Sequence, residues 1–289
     1  MTGKGVPIGI VTRNRAAYLD VTLRSLSATA LPAGTVVRLF DDASDDPVTQ
    51  AYYSTNDHLP DATVAWPADR RWSSRGLAEV GSTGMPRPRG IFGKLPVTVA
   101  PAPAGVVAAS CRAAKTLFLE FPDAPYIFLL QDDVVFNADW FTRMTDVADN
   151  TKLSRPLGVL AGIKLNQKLH RIAGKKVVPS GITAQCLLIT RHAFDRCEEF
   201  FRVFHKSRKR FDDSLRNVVT ANNLWAGCIV PFVCQHIGIK SLVRPSRRWF
   251  SAPSGRIGYY AHPPYVFSET VRKFSADETP RNAKNPPQQ

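Results

Sequence analysis

Two adjacent aspartates, Asp132 and Asp133, follow the apolar run "YIFLL" after a single glutamine, Gln131. The run does not alternate between apolar and polar residues, which is typical of a strand buried on both faces, so the carboxylates are expected at its carboxyl end. Adjacent carboxylates repel each other and are costly to desolvate unless a cation or a shared proton compensates them. The pair therefore indicates a metal site or an acid/base site. The alternative is a solvated turn that leads into an acidic helix start.

The elements that must position such groups are predicted from the hydrophobic periods near the N-terminus. "PIGIVT" predicts a strand, "NRAAYLDVTLRSLSAT" a helix with an apolar face, and "TVVRLFDDASDD" a second strand that ends in acids. This order forms a βαβ unit, whose strands are parallel and whose ligands gather at their carboxyl ends. Thr12, Arg13 and Asn14 are therefore expected beside Asp41 and Asp42 at one edge of the sheet.

Helices and strands are predicted in turn along the rest of the chain. "AGVVAASCRAAKTLFLEF" and "ADWFTRMTDVADNT" predict helices, "LGVLAGIKL" a strand, and "SGITAQCLLITRHAFDRCEEFF" a strand that leads into a helix. "FDDSLRNVVTANN" predicts a further helix, and "GCIVPFVCQHIG" one last buried strand that ends at His236. Residues 60–104 hold many prolines and glycines without a steady period, which favours a long loop or small insertion that could act as a lid.

The composition is that of a folded chain with a sizeable core. The chain has 289 residues, of which 44% are hydrophobic. It has no uninterrupted apolar window of about 18 residues, and its N-terminus reaches charged residues too soon for a signal peptide, so we expect a cytoplasmic protein. The five cysteines form no CxxC pair, which argues against a disulfide framework or zinc site and favours buried thiols.

The charge is the most unusual bulk property. The formal net charge is +14, and a field of this size attracts polyanions such as nucleic acid, anionic membranes or anionic glycans. Four basic clusters contribute: Arg70, Arg71 and Arg75; Lys164, Lys168, Arg171, Lys175 and Lys176; Arg202, Lys206, Arg208, Lys209 and Arg210; and Lys240, Arg244, Arg247 and Arg248. A solvated face is the alternative for any single cluster, and four together weaken that alternative.

Three motifs in order resemble the start of the GT-A glycosyltransferases, especially family two. They are "PIGIVTRNRAAYLDVTLRSL", "LFDDASDD" and "YIFLLQDDVVFNADWF". "RFDDSLR" is similar to the acidic pair that supplies the catalytic base in inverting members, and "VPFVCQHIGIKS" is similar to a strand end of N-acetylglucosaminyltransferase-like relatives. Those relatives have "EDD" where this chain has Gln131 before its two aspartates, so one negative charge is missing. The resemblance implies an α/β fold of the GT-A (Rossmann-like) type, with a mixed, mainly parallel sheet flanked by helices.

The resemblance also implies an activity and roles for named residues. The activity is metal-dependent, inverting transfer of a sugar from a nucleotide-sugar, with a UDP-sugar expected, to a hydroxyl group. Departure of the diphosphate requires a divalent cation or Arg/Lys, and hard oxygen ligands suit Mn or Mg. Asp133 is the implied metal ligand, with His236 completing the metal or diphosphate site. The implied donor-binding residues are Thr12, Arg13, Asn14, Asp41, Asp42, Arg112 and Asp132.

Asp213 is the implied catalytic base, with Asp212 beside it. A helix N-cap is the alternative for this pair, and capping and catalysis are compatible. We expect a single domain over residues 1–275, with a nucleotide-sugar half over about 1–140 and an acceptor half over about 141–275. Residues 276–289 are polar and proline-rich and are expected to be disordered.

The acceptor is the least constrained part of the prediction. The positive charge and the mixture of arginines and aromatics in "RRWFSAPSGRIGYY" favour a polyanion, and hydroxymethylated bases in DNA are the favoured acceptor, as in some phage enzymes of similar type. Arg247 and Arg248 would contact phosphates, while Trp249 and Tyr259, or Tyr260, would stack on an extruded base. One alternative is synthesis of a surface polysaccharide or lipid glycan at an anionic membrane. Another is a non-catalytic nucleic-acid-binding protein that has this fold.

Overall fold

The structure is a computed structural model that describes residues 6–55, 95–163, 177–179, 181–203, 210–230 and 232–236. In these ranges eight strands form one sheet, and two short strands form a second sheet. The strands are β1 (Pro7–Thr12), β2 (Val36–Asp41), β3 (Val97–Val99), β4 (Tyr126–Gln131), β5 (Val134–Phe136), β6 (Leu157–Ala161), β7 (Val177–Pro179), β8 (Cys186–Thr190), β9 (Trp225–Ile229) and β10 (Cys234–His236).

The large sheet is mixed and has a parallel half. Its strand order is β3-β2-β1-β4-β8-β6-β9-β7. Strands β3, β2, β1 and β4 are mutually parallel, β6 is parallel to β9, and β8 and β7 run antiparallel to their neighbours. The chain passes from β1 to β2 on one side and later returns to β4 on the other. The carboxyl ends of β1 and β4 therefore flank a topological switch point, where open α/β sheets bind their ligands.

Seven helices of the described ranges cover the two faces of this sheet. They are α1 (Ala16–Ser27), α2 (Pro47–Thr55), α3 (Val106–Glu120), α4 (Trp140–Asn150), α5 (Arg191–Arg196), α6 (Glu198–Val203) and α7 (Phe211–Ala221). Helix α3 lies against β1, where a Cβ on Gly9 would come within 2.9 Å of Leu117 Cδ1. Helices α5, α6 and α7 pack beside α3.

Helix α4 covers the opposite face. Ile8 pairs with Phe128 in the sheet, and side chains alternate between faces along a strand, so Phe128 faces away from α3. The ring of Phe128 packs edge-on against Trp140 of α4, with ring centroids 4.9 Å apart. Trp140 Nε1 donates a hydrogen bond to Thr29 Oγ1 just after α1, which joins α1 and α4 on this face. The central strands are thus buried on both faces, which explains their unbroken apolar runs.

Most of the predicted elements are confirmed, but two parts of the prediction are wrong. The segment "GCIVPFVCQHIG" does not form one strand, because β9 ends at Ile229 and the chain then enters the second sheet as β10. The long loop predicted over residues 60–104 is wrong at its end, where Val97–Val99 pairs with β2 as an edge strand. Residues 56–94 lie outside the described residues.

Two bulk expectations concern the cysteines and the membrane. All five cysteines are free and buried, as expected. Among the helices of the described ranges, none is both long enough and apolar enough to cross a bilayer. The division into two halves and the tail at 276–289 stay predictions.

Candidate functional site

The aspartate pair lies directly beyond β4, beside the end of β1. Asp132 and Asp133 are each only 3% exposed. Thr12 Oγ1, at the end of β1, donates a hydrogen bond of 2.7 Å to Asp132 Oδ2. Thr22 of α1 donates to the backbone carbonyl of Asp132 at 2.8 Å and accepts from the amide of Val134 at 3.1 Å. The turn that carries the two acids is therefore held by side chains from β1 and α1.

Arg15 binds both carboxylates at once. Its Nη1 donates to Asp132 Oδ1 at 3.0 Å, and its Nη2 forms an ion pair with Asp133 Oδ2 at 2.7 Å. The guanidinium carbon also lies 4.3 Å from the centre of the Tyr18 ring, within the range of a cation–π contact. The planar guanidinium can bridge two acceptors in this way because its donors are fixed in a fork.

His236 reaches Asp133 from the second sheet. Strand β10 pairs antiparallel with β5, which places His236 opposite Val134, next to the aspartates. His236 Nε2 lies 2.9 Å from Asp133 Oδ2, on the same oxygen that Arg15 approaches. The other oxygen of this carboxylate, Asp133 Oδ1, is buried and has no hydrogen-bond partner among the residues that the structure describes, and the same holds for His236 Nδ1.

The surroundings of the two carboxyl groups shift their pKa values in opposite directions. Burial, together with the neighbouring Asp133, raises the pKa of Asp132 to about 6, although Arg15 opposes the shift. Burial also penalises the charge of Asp133, but Arg15 and His236 outweigh that penalty and hold its pKa below the ordinary value. The same two aspartates raise the pKa of Arg15, against the effect of its own burial. Asp133 is therefore the more strongly ionised member of the pair.

The pair offers a divalent cation part of a coordination shell. In the part of the chain that the structure describes, no group of three or more His, Cys, Asp or Glu side chains is placed to hold a metal together. Asp133 Oδ1 nevertheless fits one ligand position, because it is a buried carboxylate oxygen without a partner. Mg²⁺ and similar ions are often held by one or two carboxylates plus substrate phosphates. These residues fit an ion that shares its shell with a phosphorylated ligand.

The turns after β1 and β2 are joined through Asn14. Its Oδ1 accepts from the backbone amides of Asp45 and Asp46, at 2.9 and 3.0 Å, and its backbone N–H donates to Ser44 Oγ at 2.8 Å. Asn14 and Ala43 have φ angles of 50° and 55°, in the left-handed region that side-chain-bearing residues rarely adopt. Strain of this kind persists where surrounding contacts enforce it, and it is enriched at ligand sites.

The two aspartates at the end of β2, Asp41 as its last residue and Asp42 directly after it, hold neighbouring segments in place. Asp41 accepts from the amide of Ser44 at 2.9 Å and from the Tyr53 hydroxyl at 3.1 Å. Asp42 accepts from the amides of Ala104 and Gly105 at 3.0 and 2.7 Å, at the start of α3. These contacts are structural roles that the sequence did not suggest. A role of these aspartates in binding a nucleotide stays a prediction.

Arg112 extends from α3 towards the same edge. Its Nη2 donates to the backbone carbonyl of Asp41 at 3.1 Å, while its Nε is buried and finds no hydrogen-bond partner in the described ranges. Arg13 Nε, in the turn after β1, is likewise buried without one. The structure thus brings all seven predicted donor-binding residues to one edge of the sheet.

The second acidic pair, Asp212 and Asp213, lies on α7. Arg210 is the N-cap of this helix, so the predicted alternative that an aspartate caps it is wrong, and both acids lie in its first turn. Arg210 pairs with Asp212 at 3.2 Å and with Asp213 at 3.6 Å. Burial raises the pKa of Asp212 above its ordinary value, although Arg210 opposes the shift. The side chain of Asp213 is 57% exposed, so it remains accessible to a ligand.

The direction of α7 places its first turn near the carboxyl edge of the sheet. The helix leads into β9 and packs against it, so the two run in opposite directions. Strand β9 is parallel to β6, and through β8 the direction of β6 equals that of β4. The start of α7 and the end of β4 therefore point towards the same edge.

Arg15, the central cation of the aspartate cluster, was not among the predicted site residues, although it lies in the "TRNR" stretch after β1. The acceptor-binding residues predicted from the sequence, Arg247, Arg248, Trp249 and Tyr259, lie outside the described residues.

The sequence matches no protein-family model and no curated protein. Among solved structures, S. aureus TarS 1-349 in complex with UDP-GlcNAc superposes with a TM-score of 0.52 at 12% identity, over 88% of this chain and 64% of that chain. The glycosyltransferase GlyE of Streptococcus pneumoniae TIGR4 gives a TM-score of 0.42 at 12% identity, over 78% and 45%. The galactosyltransferase LgtC, in complex with donor and acceptor sugar analogues, gives 0.38 at 15%, over 78% and 72%.

The chain therefore has a GT-A glycosyltransferase-like fold, as the motifs predicted. It spans less than two thirds of the length of the TarS chain that it matches.

Proposed function

We propose that the protein is a glycosyltransferase that moves a sugar from a nucleotide-sugar to a hydroxyl group. The observation that carries this proposal is the buried aspartate pair at the switch point between β1 and β4, with Asp133 Oδ1 unpartnered. Adjacent buried carboxylates are costly unless a ligand or cation uses them, and this edge is where open α/β sheets bind ligands. The GT-A fold supports the same conclusion.

The donor would lie along the edge formed by the turns after β1, β2 and β4. Thr12, Arg13 and Asn14 line one side, Asp41 and Asp42 the next, and Arg112 and Asp132 complete the set. Arg13 and Arg112 each have a buried Nε that no described residue accepts from, and a diphosphate can accept from such donors. A UDP-sugar is the proposed donor, and the fold neighbour TarS is in complex with UDP-GlcNAc.

A divalent cation would be held by Asp133, with His236 beside it. It would neutralise negative charge that develops on the departing diphosphate. Mn or Mg is the proposed ion, because the available carboxylate oxygen is a hard ligand. Arg15 keeps Asp133 in place through its ion pair.

Asp213 is the proposed base for the acceptor. The acceptor hydroxyl would lose its proton to Asp213 while its oxygen bonds to the anomeric carbon and the bond from that carbon to the diphosphate breaks. Attack opposite the leaving group inverts the anomeric configuration. The exposure of Asp213 in the first turn of α7 and the direction of that helix support this role.

A polyanion is the proposed acceptor class, with hydroxymethylated bases in DNA as the favoured case. The net charge of +14 supports this choice, since phosphate contacts by Lys and Arg supply most of the affinity of proteins for DNA. A surface polysaccharide or lipid glycan at an anionic membrane is the second acceptor class, because the same charge would attract that surface.

The test is a transfer assay with Mn²⁺, a panel of nucleotide-sugars, and duplex DNA with or without 5-hydroxymethyl pyrimidines, read by mass spectrometry. A gain of one sugar mass on the modified base, absent in Asp133→Ala, is the expected result. Donor hydrolysis without DNA modification would replace DNA by a glycan or lipid acceptor. Stabilisation by DNA alone, with no response to any donor, would refute the enzyme proposal in favour of a nucleic-acid-binding protein.

A further inference from the structure

Three of the four carboxylate oxygens of the aspartate pair are already bound by the protein. Thr12 and Arg15 occupy the two oxygens of Asp132. Arg15 and His236 both approach Asp133 Oδ2, and only Asp133 Oδ1 has no partner within the described part of the chain. Among the described residues, the two adjacent acids therefore present a single carboxylate oxygen without a partner.

Because three of these oxygens already have protein partners, a divalent cation has few carboxylate ligands to bind. A hard divalent ion takes about six oxygen ligands and loses its waters reluctantly, so one carboxylate oxygen holds it weakly. Two free aspartates would hold it far better, because they would supply more oxygens and twice the charge. Arg15 prevents this by neutralising one unit of charge and covering an oxygen of each carboxylate.

Arg15 is also held firmly in the bridging position. Its side chain is 15% exposed, and the aspartate side chains are 4% exposed, so water screens the ion pairs poorly. The Tyr18 ring contacts the central carbon of the guanidinium, whereas the two ion pairs form at its Nη1 and Nη2 atoms. A cation in solution must therefore compete with a cation that is part of the chain.

We infer that Arg15 makes binding of a divalent cation conditional on a diphosphate ligand. The free Asp133 Oδ1 supplies one ligand, and phosphate oxygens must supply others before the ion is held. Arg15 thereby acts as a positioning residue that couples the cation and the nucleotide and keeps the site from binding the ion alone. The nucleotide part of this inference rests on the proposed function, whereas the suppression of metal binding by Arg15 does not.

The experiment measures Mn²⁺ binding without nucleotide, by electron paramagnetic resonance of the free ion, for the wild type, Arg15→Gln and Arg15→Lys. Arg15→Gln is expected to bind Mn²⁺ about tenfold more tightly than the wild type, or more, a factor in the range of coupling between linked sites. Arg15→Lys is expected to fall between them, because a lysine is a point charge that cannot bridge two carboxylates as a fork. Arg15→Lys also serves if Arg15→Gln fails to fold.

Two controls localise the effect. Arg38→Gln removes an arginine paired with Glu120 elsewhere on the sheet and should leave Mn²⁺ affinity at the wild-type value. Adding Asp133→Ala to Arg15→Gln should abolish the gained site. The inference is overturned if both Arg15 variants bind Mn²⁺ no more tightly than the wild type.

A further arm separates this inference from the proposed function. Addition of UDP is expected to raise the Mn²⁺ affinity of the wild type more than that of Arg15→Gln. If neither UDP nor GDP has any effect on the wild type while Arg15→Gln still gains a metal site, the proposed function fails and the suppression of metal binding by Arg15 stands.

Discussion

Thr12→Val tests whether the β1 side chain holds the aspartate pair. Valine has nearly the shape of threonine, so the buried volume is retained, and the hydrogen bond from Thr12 Oγ1 to Asp132 Oδ2 at 2.7 Å is lost. Thr12 is 3% exposed, so water cannot replace the donor without rearrangement. Loss of a hydrogen bond to a charged group costs about 1.5–3 kcal/mol, and we take about 2 kcal/mol.

A loss of about 2 kcal/mol in the free energy of unfolding is measurable by thermal and by urea denaturation. At about 2–4 °C per kcal/mol, the melting temperature should fall by about 4–8 °C, and the urea midpoint should fall without a change in slope. Thr35→Val is the matched control, because its hydroxyl makes an exposed hydrogen bond to the Pro32 carbonyl, and it should stay within about 0.5 kcal/mol of the wild type. Equal stability of the two variants would refute the account of Asp132.

Three further predictions concern the base, the sheet and the turn after β2. Asp213→Asn should abolish transfer and leave UDP binding by calorimetry unchanged; near-normal turnover would exclude Asp213 as the base. Gly227→Ala should destabilise by at least about 1–3 kcal/mol in urea, because its Cβ would lie 2.2 Å from the Val178 carbonyl oxygen. Ala43 has a φ of 55°, where a larger side chain on Cβ is strained. Ala43→Gly should therefore retain the stability of the wild type, and Ala43→Val should lower it by at least about 1–2 kcal/mol. Equal melting temperatures of the two variants would exclude strain at this position.

Most strands and helices of the large sheet were predictable, because their hydrophobic patterns are clear in the sequence. Unbroken apolar runs predict strands buried on both faces, and evenly spaced apolar residues predict helices that face a sheet. Such patterns are present in β1, α1, β2, α3 and β4. The second sheet was not predictable, because its strands have only three residues each and pair across about a hundred residues of sequence. A three-residue strand is too short to show a period, so β10 was merged with β9.

The position of the candidate site was predictable, but its internal pairing was not. Asp132 and Asp133 follow a recognisable strand, so their place at the sheet edge follows from topology. The bridging by Arg15 depends on the angle at which the chain leaves β1, which residue types do not reveal. The use of Asp42 to hold the amides of Ala104 and Gly105 likewise depends on a contact between segments distant in the sequence.

The most direct test of the central claim is a calorimetric titration of UDP, with Mn²⁺ present, into the wild type, Asp133→Ala and Glu199→Ala. The wild type and Glu199→Ala, which changes an exposed acid on α6, should bind UDP equally. Asp133→Ala should lose more than about tenfold in affinity, as expected when a metal-site residue is removed. If the wild type binds neither UDP nor GDP, or if Asp133→Ala binds as well as the wild type, the aspartate pair is not a nucleotide-sugar site.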